Sequence, residues 1–564
     1  MKVLIVGGVA GGATAAARLR RLDENAEIVI LERGGFVSYA NCGLPYYIGG
    51  EIKKKSALTL QTPESFWARF HIDVRVHHEA TAVNLQDKTV TVRLPDGTIT
   101  TENYDKLILS PGAKAIRPPF VGMDNPRIFT LRTVEDTLKI RDFIDTTHPK
   151  KATVVGGGFI GLEMAENLLQ AGIETTMVQL DPQVLLPLDY DMACEVHAYL
   201  RSKGVQLQLS TKVESFAEEN GVLLTKIADG DPIASDCVIL AIGVVPDTAI
   251  AKEAGLTLGA KGAIVVNDRM ETSAPDVYAV GDAVEVRHFV TGEKAIISLA
   301  GPANKQGRIA ADNICGGDSR YKGSQGSSVI KLFDMTVATT GINEKMAQMC
   351  KIAYDKVITY SASHATYYPG ASNLTIKTLF APSDGKILGA EIVGFDGVDK
   401  RIDVLATAIR AGMTAEDLAE LDLAYAPPYS SAKDPVNMAG FVIENLRGGL
   451  VKQYHWNDIA NLPTDGSVTV LDVRSEAEFS RGHLERAICI PLDVLRAHLA
   501  EIPKDKPVYV NCHSGLRSYI ACRILTANGF DCRHLSGGYR FYANVLSDKC
   551  YDAAPTHSCG LKID

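Results

Sequence analysis

Two segments of this chain share one grammar: an apolar strand, a glycine-rich turn, an alanine-rich helix and a second apolar strand. The first runs from Lys2-Val-Leu-Ile-Val-Gly-Gly-Val-Ala-Gly-Gly-Ala13 through a helix to Arg21 and on to Glu27-Ile-Val-Ile-Leu-Glu32. The second runs from Ala152-Thr-Val-Val-Gly-Gly-Gly-Phe-Ile-Gly-Leu162 through a helix to about Gly172 and on to Glu174-Thr-Thr-Met-Val-Gln179. Each reads as a βαβ unit, whose turn is glycine so that backbone N–H groups can approach a pyrophosphate at the positive end of a helix. The second copy fits GxGxxG in full, at Gly156, Gly158 and Gly161; the first departs from it, with Val9 between Gly7 and Gly12. Glu32 ends the first unit where a carboxylate can hold a ribose diol, as the adenosine half of FAD requires. The equivalent residue of the second unit is Gln179, with Asp181 just beyond, and that loss of charge leaves NADH and NADPH both open.

At 564 residues the chain is too long for one core and should hold three to five domains. Apolar residues make up 46% and charged residues 22%, and the formal charge of −9 spreads without long like-charge runs, so nothing calls for nucleic acid. The N-terminal apolar stretch runs straight into glycines and reads as a buried strand, not a signal peptide, and no apolar run approaches the length of a membrane span. Eleven scattered cysteines, none with CxxC spacing, argue against a disulfide framework and a structural metal, and the expected compartment is the cytoplasm.

Cys42 lies in Ser38-Tyr-Ala-Asn-Cys-Gly-Leu-Pro-Tyr-Tyr47, and the next cysteine is Cys194. A dithiol reductase would place a second thiol a few residues away, so Cys42 works alone, as a sulfenic acid, a persulfide or a mixed disulfide. A helix start at Gly43-Leu44 and nearby phenols are expected to lower its pKa. Further along, Leu107-Ile-Leu-Ser-Pro-Gly-Ala113 and Ala241-Ile-Gly-Val-Val-Pro-Asp247 read as crossings between two nucleotide domains. Val277-Tyr-Ala-Val-Gly-Asp-Ala283 places Asp282 after a strand, able to accept from a flavin's ribityl chain. From Ser327 to Arg447 strands such as Ser328–Phe333 and Leu374–Phe380 precede helices, as in a mixed interface domain. After Arg447-Gly-Gly-Leu450 a separate α/β unit begins, with Val468–Arg474, Pro507–Cys512 and Leu535–Tyr539. In Cys512-His-Ser-Gly-Leu-Arg517 a cysteine after a buried strand, with arginine five residues on, forms a loop whose N–H groups converge on an anion. Asp472 and Arg474 take scaffold roles, and Cys522 and Cys532 read as buried packing residues.

These motifs, with His364-Ala-Thr-Tyr-Tyr-Pro-Gly370 and Ala424-Tyr-Ala-Pro-Pro-Tyr-Ser430, resemble the single-cysteine pyridine nucleotide-disulfide oxidoreductases, specifically the coenzyme A-disulfide reductases that carry a C-terminal rhodanese domain. The resemblance implies an α/β chain with two interleaved Rossmann-like domains for FAD and NAD(P)H, an α+β dimerisation domain and an α/β rhodanese domain. The implied boundaries are 1–112 and 246–326 for the FAD domain, 113–245 for NAD(P)H, 327–446 for dimerisation, a linker at 447–456, and 457–564 for rhodanese. The implied activity is flavin-dependent reduction by NAD(P)H of coenzyme A disulfide, coenzyme A persulfide and polysulfide through Cys42, with sulfane sulfur handled at Cys512 and Arg517. The implied assembly is a homodimer in which Tyr367 and Tyr425 serve the partner's cysteine.

Cofactor contacts carry over onto Gly7, Gly8, Gly12, Glu32 and Arg33, onto Ser110, Gly112, Gly281, Asp282 and Ala300, and onto Gly156, Gly158, Gly161 and Gly243. Coenzyme A, with its phosphates, favours arginine forks. Arg18 and Arg21 supply them one turn apart, with Thr14 a turn earlier, while Ala10, Ser38 and Asn41 flank the pantetheine arm, and Trp67 and Arg69 approach the nucleotide. Two other readings stay open: a flavin NADH oxidase or peroxidase using a cysteine sulfenic acid, and a redox-sensing sulfur-carrier protein.

Overall fold

In the computed structural model both glycine-turn segments form parallel sheets. The first sheet runs Val277–Ala279, Lys106–Leu109, Lys2–Val6, Glu27–Glu32, Asp73–Val76 in spatial order. The second runs Gln206–Gln208, Glu174–Val178, Lys151–Val155, Cys237–Leu240, Ile128–Thr130. A parallel strand is covered on both faces, which is why the sequence writes it as an unbroken apolar run. Val3 and Ile5 pack with Ala15, Ala16 and Leu19 of the helix Ala10–Leu22, while Leu4 and Val6 join the core on the opposite face. Val244–Pro246 pairs antiparallel with Ala113–Ala115, so the outgoing and returning crossings run side by side.

Residues 1–551 are described; positions 552–564, which the sequence reading assigns to the rhodanese unit, lie outside them. The chain divides into two units: Met1–Val184 with Gly204–Gly326, and Leu185–Lys203 with Ser327 onward. The helix Tyr190–Ser202, which falls inside the segment read as NAD(P)H-binding, thus packs with the second unit. Among the described residues, no helix is long and apolar enough to cross a membrane.

The second unit holds two sheets. One is antiparallel, in the order Ser328–Leu332, Met335–Gly341, Ile387–Gly394, Asn373–Phe380, Asp355–Ala362, and is accompanied by the helices Val398–Ala411 and Pro435–Arg447. The other is the five-stranded parallel sheet of the C-terminal α/β unit, in the order Gln453–Tyr454, Cys532–Leu535, Val508–Asn511, Thr469–Asp472, Ile488–Cys489. The last described helix of that unit, Gly538–Lys549, packs on Tyr190–Ser202, and one carboxylate ties the two together. Asp548 Oδ2 accepts from the Tyr190 hydroxyl at 2.9 Å and lies 3.0 Å from His197 Nδ1, and Oδ1 accepts from Arg201 at 2.5 Å. Burial alone would raise the Asp548 pKa, but the His197 and Arg201 contacts hold it down at about 2.

Removing a partner from a buried ion pair costs about 3–5 kcal/mol, because the other charge is left unpaired. Asp548→Ala should therefore lower the unfolding midpoint of the C-terminal unit and raise hydrogen exchange in Gly538–Lys549; an unchanged midpoint would contradict this account. A carboxylate with a depressed pKa stabilises above its unfolded value of about 4 and loses that contribution as the pH falls toward its folded value. The difference between wild type and variant should accordingly fade between about pH 4 and 2.

Candidate functional site

The turn after Lys2–Val6 is built by backbone contact. A Cβ on Gly12 would lie 1.9 Å from the Gly7 carbonyl oxygen, and one on Gly7, whose φ is +95°, would lie 2.1 Å from that of Ser110. Only glycine permits this approach, which sets the start of the helix Ala10–Leu22 beside the turn. The Gly8 N–H donates to Glu32 Oε2 at 2.9 Å and the Gly34 N–H to Oε1 at 2.8 Å, fixing the carboxylate at the end of its strand.

A cavity of about 500 Å³ opens there, and the sequence-derived candidates converge on it: Gly7, Glu32, Arg33, Ser110, Gly112, Gly281, Asp282 and Ala300 line it together with Ala10, Asn41 and Cys42. Gly8 and Gly12 are buried, and they shape the turn without lining the cavity. Arg33 pairs with Asp247 at 2.6 Å, and the Gly281 N–H donates to the buried Gln306 side chain at 2.7 Å. The helix Ala300–Ile314 begins at the wall. The donor set fits a dinucleotide flavin: a glycine turn without side chains, a fixed carboxylate for a ribose diol, a helix start for phosphate, and Asp282 as an acceptor. Asn41 Oδ1, buried and without a hydrogen-bond partner among the described residues, is one more acceptor suited to a ligand donor.

Among the described residues, Cys42 is the one cysteine on this wall. It sits in the short turn Asn41–Gly43 that leads into the helix Leu44–Ile48. The expected lowering of its pKa is overturned: burial pushes the thiol up, the Glu163 carboxylate pushes it further, and Arg132 offsets only part of this. Burial and the neighbouring carboxylates Glu163 and Glu166 push Tyr46 up to about 12, so its phenol keeps its proton. Glu163 and Arg132 were absent from the sequence reading. Glu163 lies on the helix Phe159–Gln170, where burial and Glu166 raise its carboxyl to about 7. Arg132 donates to Asp282 Oδ2 at 2.6 Å and to the Ala113 carbonyl at 3.1 Å, which brings a cation to the cavity wall.

The remaining coenzyme A candidates stand outside the cavity lining. Thr14 donates to Asn304 at 2.9 Å, and Arg18 pairs with Asp312 at 2.7 Å. Arg21 is exposed and makes no ion pair among the described residues. Arg20, between them, is a structural residue whose guanidinium is spent on the carbonyls of Asp23, Glu24, Ala26, Phe70 and His71. Ser38 adopts φ +46° and donates its N–H to the Gly8 carbonyl, tying the Cys42 segment to the glycine turn. Trp67 is exposed and stacks on His71, and Arg69 is exposed on the same helix. Gly156, Gly158, Gly161 and Gly243 belong to the second parallel sheet and its crossing.

In the second unit the two tyrosine blocks are clamped by one arginine. Arg401 is 1% exposed and donates to the carbonyls of Ser363 and Tyr429, to Ser430 Oγ and to Asp434. The Ala365 N–H donates to the Ser430 carbonyl at 3.0 Å, and the phenols of Tyr367 and Tyr425 meet at 2.7 Å. Tyr367 is 75% exposed, so this pair is presented outward.

Cys512 follows the strand Val508–Asn511 and is 1% exposed. The Gly515 N–H donates to its sulfur at 3.1 Å, and the thiol donates to Ser518 Oγ at 3.4 Å. Arg517, which closes the loop, is held by Glu478 through two bonds of 2.7 and 2.6 Å; Glu478, like Arg132, the sequence reading missed. The Asp472–Arg474 pair is buried, and Arg474 also donates to the Gly482 carbonyl, as a scaffold pair should. Cys522 and Cys532 lie in the same core as Cys512.

The family model for the pyridine nucleotide-disulphide oxidoreductases matches residues 1–307, its dimerisation domain matches 327–435, and a rhodanese-like domain matches 456–544. The coenzyme A disulfide reductase of Staphylococcus haemolyticus is 38% identical over 447 residues, covering 79% of this chain and all of the relative. The crystal structure of reduced CoADR-RHD from Bacillus anthracis aligns with a TM-score of 0.95 at 48% identity, covering 97% of this chain and 98% of that one. The NAD-dependent persulfide reductase of A. fulgidus aligns at 0.90 and 40%, covering 96% and 100%. The chain belongs to the pyridine nucleotide-disulphide oxidoreductase family and carries a rhodanese-like domain in its C-terminal part.

Proposed function

We propose that this protein reduces coenzyme A disulfide, coenzyme A persulfide and polysulfide with NAD(P)H, using Cys42 as its single redox thiol and Cys512 as a carrier of sulfane sulfur. The observation that carries this reading is Cys42 standing, among the described residues, as the one thiol on the wall of a cavity it shares with Glu32 and Asp282. FAD, when bound, supplies the two-electron chemistry that takes reducing equivalents from NAD(P)H and returns a mixed disulfide to two thiols.

The Cys42 thiolate attacks one sulfur of coenzyme A disulfide, forming a Cys42–coenzyme A mixed disulfide and releasing a coenzyme A thiolate. With coenzyme A persulfide the same attack on the inner sulfur releases hydrosulfide. Arg132, fixed by Asp282, supplies the positive charge that favours the thiolate. The exposed Arg21 is available to the coenzyme A phosphates, and Arg18 can share its guanidinium between Asp312 and the ligand. In a homodimer, the outward Tyr367–Tyr425 pair of one copy would donate to the departing thiolate in the other. Cys512 takes an outer sulfur from polysulfide as a persulfide and passes it to a coenzyme A thiolate, and the resulting coenzyme A persulfide is the substrate of Cys42. The Gly515 N–H supports an anionic sulfur at Cys512. Cytoplasmic residence and the domain boundaries given above belong to the same proposal.

Cys42→Ser should abolish NAD(P)H-driven reduction of coenzyme A disulfide, by more than about a thousandfold in kcat, while leaving bound FAD and sulfur transfer at Cys512 intact. Rapid NADH consumption with oxygen alone by the wild type would replace this reading with an oxidase. Cys512→Ser should keep coenzyme A disulfide reduction and slow polysulfide reduction; unchanged polysulfide turnover would break the relay. Glu163 is negatively charged above about pH 7 and opposes the Cys42 thiolate. Glu163→Gln should therefore move the pH profile of Cys42 alkylation to lower pH, and a profile that stays in place would remove Glu163 from this role.

A further inference from the structure

The second glycine turn is the place where a nicotinamide nucleotide would meet this chain, and its geometry accommodates one. A Cβ on Gly161 would lie 1.9 Å from the Gly156 carbonyl oxygen, so helix and turn are pressed together, whereas a Cβ on Gly158 would meet nothing within 4 Å. The start of the helix Phe159–Gln170 is therefore open above Gly158, with room for a diphosphate.

The two strand ends handle the ribose position differently. In the first unit Glu32 takes two backbone N–H groups and still carries its own negative charge beside the turn. In the second, Gln179 Oε1 accepts from the Gly157 N–H at 2.8 Å, copying the Glu32–Gly8 bond, and its carboxamide is neutral. Its Nε2 donates to Asp181 Oδ2 at 3.0 Å. Gln179 is thus a spacer: it satisfies the turn with its oxygen and uses its amide to hold a carboxylate beyond the end of the strand. Asp181 is half-buried, and among the described residues its carboxylate takes a hydrogen bond at Oδ2 and none at Oδ1. The segment Leu180–Gln183 contains no lysine or arginine, and the facing strand end offers only Lys212, which is exposed and stands 3.9 Å from Glu214.

A carboxylate at this place accepts from the hydroxyls of an adenosine ribose, while a 2′-phosphate there needs a cation. We infer that Gln179 and Asp181 together select NADH over NADPH, with Asp181 as the discriminating charge and Gln179 as the residue that positions it. This rests on the reductase reading above and names the nucleotide it uses.

The test is equilibrium binding of NAD⁺ and NADP⁺ to the full-length, FAD-loaded protein by calorimetry, with flavin bleaching by NADH and NADPH as a second readout that needs no sulfur acceptor. The wild type should bind NAD⁺ at least about tenfold more tightly than NADP⁺, since a phosphate set against a carboxylate meets direct repulsion. Asp181→Asn and Asp181→Ala should narrow that ratio at least about fivefold, mainly by tightening NADP⁺, and Asp181→Arg should reverse it. Gln179→Ala, which releases Asp181, should narrow the ratio less than Asp181→Ala does. A wild type that binds NADP⁺ as tightly as NAD⁺, or an Asp181→Asn protein with an unchanged ratio and an unchanged melting curve, would overturn the inference while leaving the reductase reading intact. Failure of both nucleotides to bind and to bleach the flavin would overturn the two together.

Discussion

The second unit depends on a charge that has no route to water. Lys377 is 0% exposed, on a strand whose residues are buried from Leu374 to Phe380, and its ammonium is held by Asp191, Asp189 and Glu344 at 2.7, 2.9 and 2.6 Å. Burial acts to remove its proton, but these carboxylates and Glu391, its cross-strand neighbour, outweigh that and keep it charged. Glu391 is pulled the other way: burial and Asp189 drive its carboxyl well above the usual carboxylate range, against the pull of Lys377, while it accepts the Asp189 N–H. Glu344 also pairs with Lys356 at 2.7 Å, and the Trp456 indole N–H donates to Asp191 at 3.0 Å. Such a network adds little net stability compared with apolar packing, but removing one partner leaves a buried charge uncompensated. It ties the helix Tyr190–Ser202, the antiparallel sheet and the start of the C-terminal unit together through Asp191, Lys377 and Trp456.

The catalytic reading makes different demands in the two units. Around Cys42, which is exposed on the cavity wall, the fold brings one cation and one carboxylate with a pKa near neutrality, so the charge on that sulfur depends on its neighbours' protonation. Around Cys512 the support is backbone: an N–H at 3.1 Å and a loop whose arginine is already neutralised by Glu478. A backbone donor does not titrate, and Glu478, held at about 2 chiefly by its bonds to Arg517, does not either in any physiological range. A thiol that must change redox state is thus surrounded by adjustable charge, and one that carries sulfur by fixed dipoles.

What was legible in the sequence is what local backbone rules write. The two βαβ units, the crossings, the lone Cys42 and the six-residue Cys512 loop are all encoded within a few tens of residues, by apolar runs and glycines. What was missed is long-range. Arg132 meets Asp282 across 150 positions and Lys377 meets Asp191 across 186, and a surface arginine and a buried one look alike in a string of letters. Arg20 and Arg401 make the point in opposite directions. Arg20 lies between two arginines read as ligand contacts and is committed to five carbonyls; Arg401, in an unremarked helix, holds both tyrosine blocks. The error over the Cys42 pKa has the same origin. A helix start can be read from sequence, but burial and a carboxylate from Phe159–Gln170 cannot, and those two effects decide the sign.

The two glycine turns carry this argument to its limit. Both were read as nucleotide turns, the first departing from GxGxxG at Val9 and the second carrying Gln179 at its strand end with Asp181 just beyond, and that loss of charge left the nucleotide undecided. The structure shows the oxygen of Gln179 doing for Gly157 what a Glu32 oxygen does for Gly8, so the backbone requirement is met in both. The amide nitrogen is the group a glutamate lacks, and it is bonded to Asp181. The negative charge has moved two residues along the chain, and the glutamine holds it there. A substitution that looks like a deletion in the sequence is, in three dimensions, a displacement, and a displaced charge can still discriminate between a hydroxyl and a phosphate.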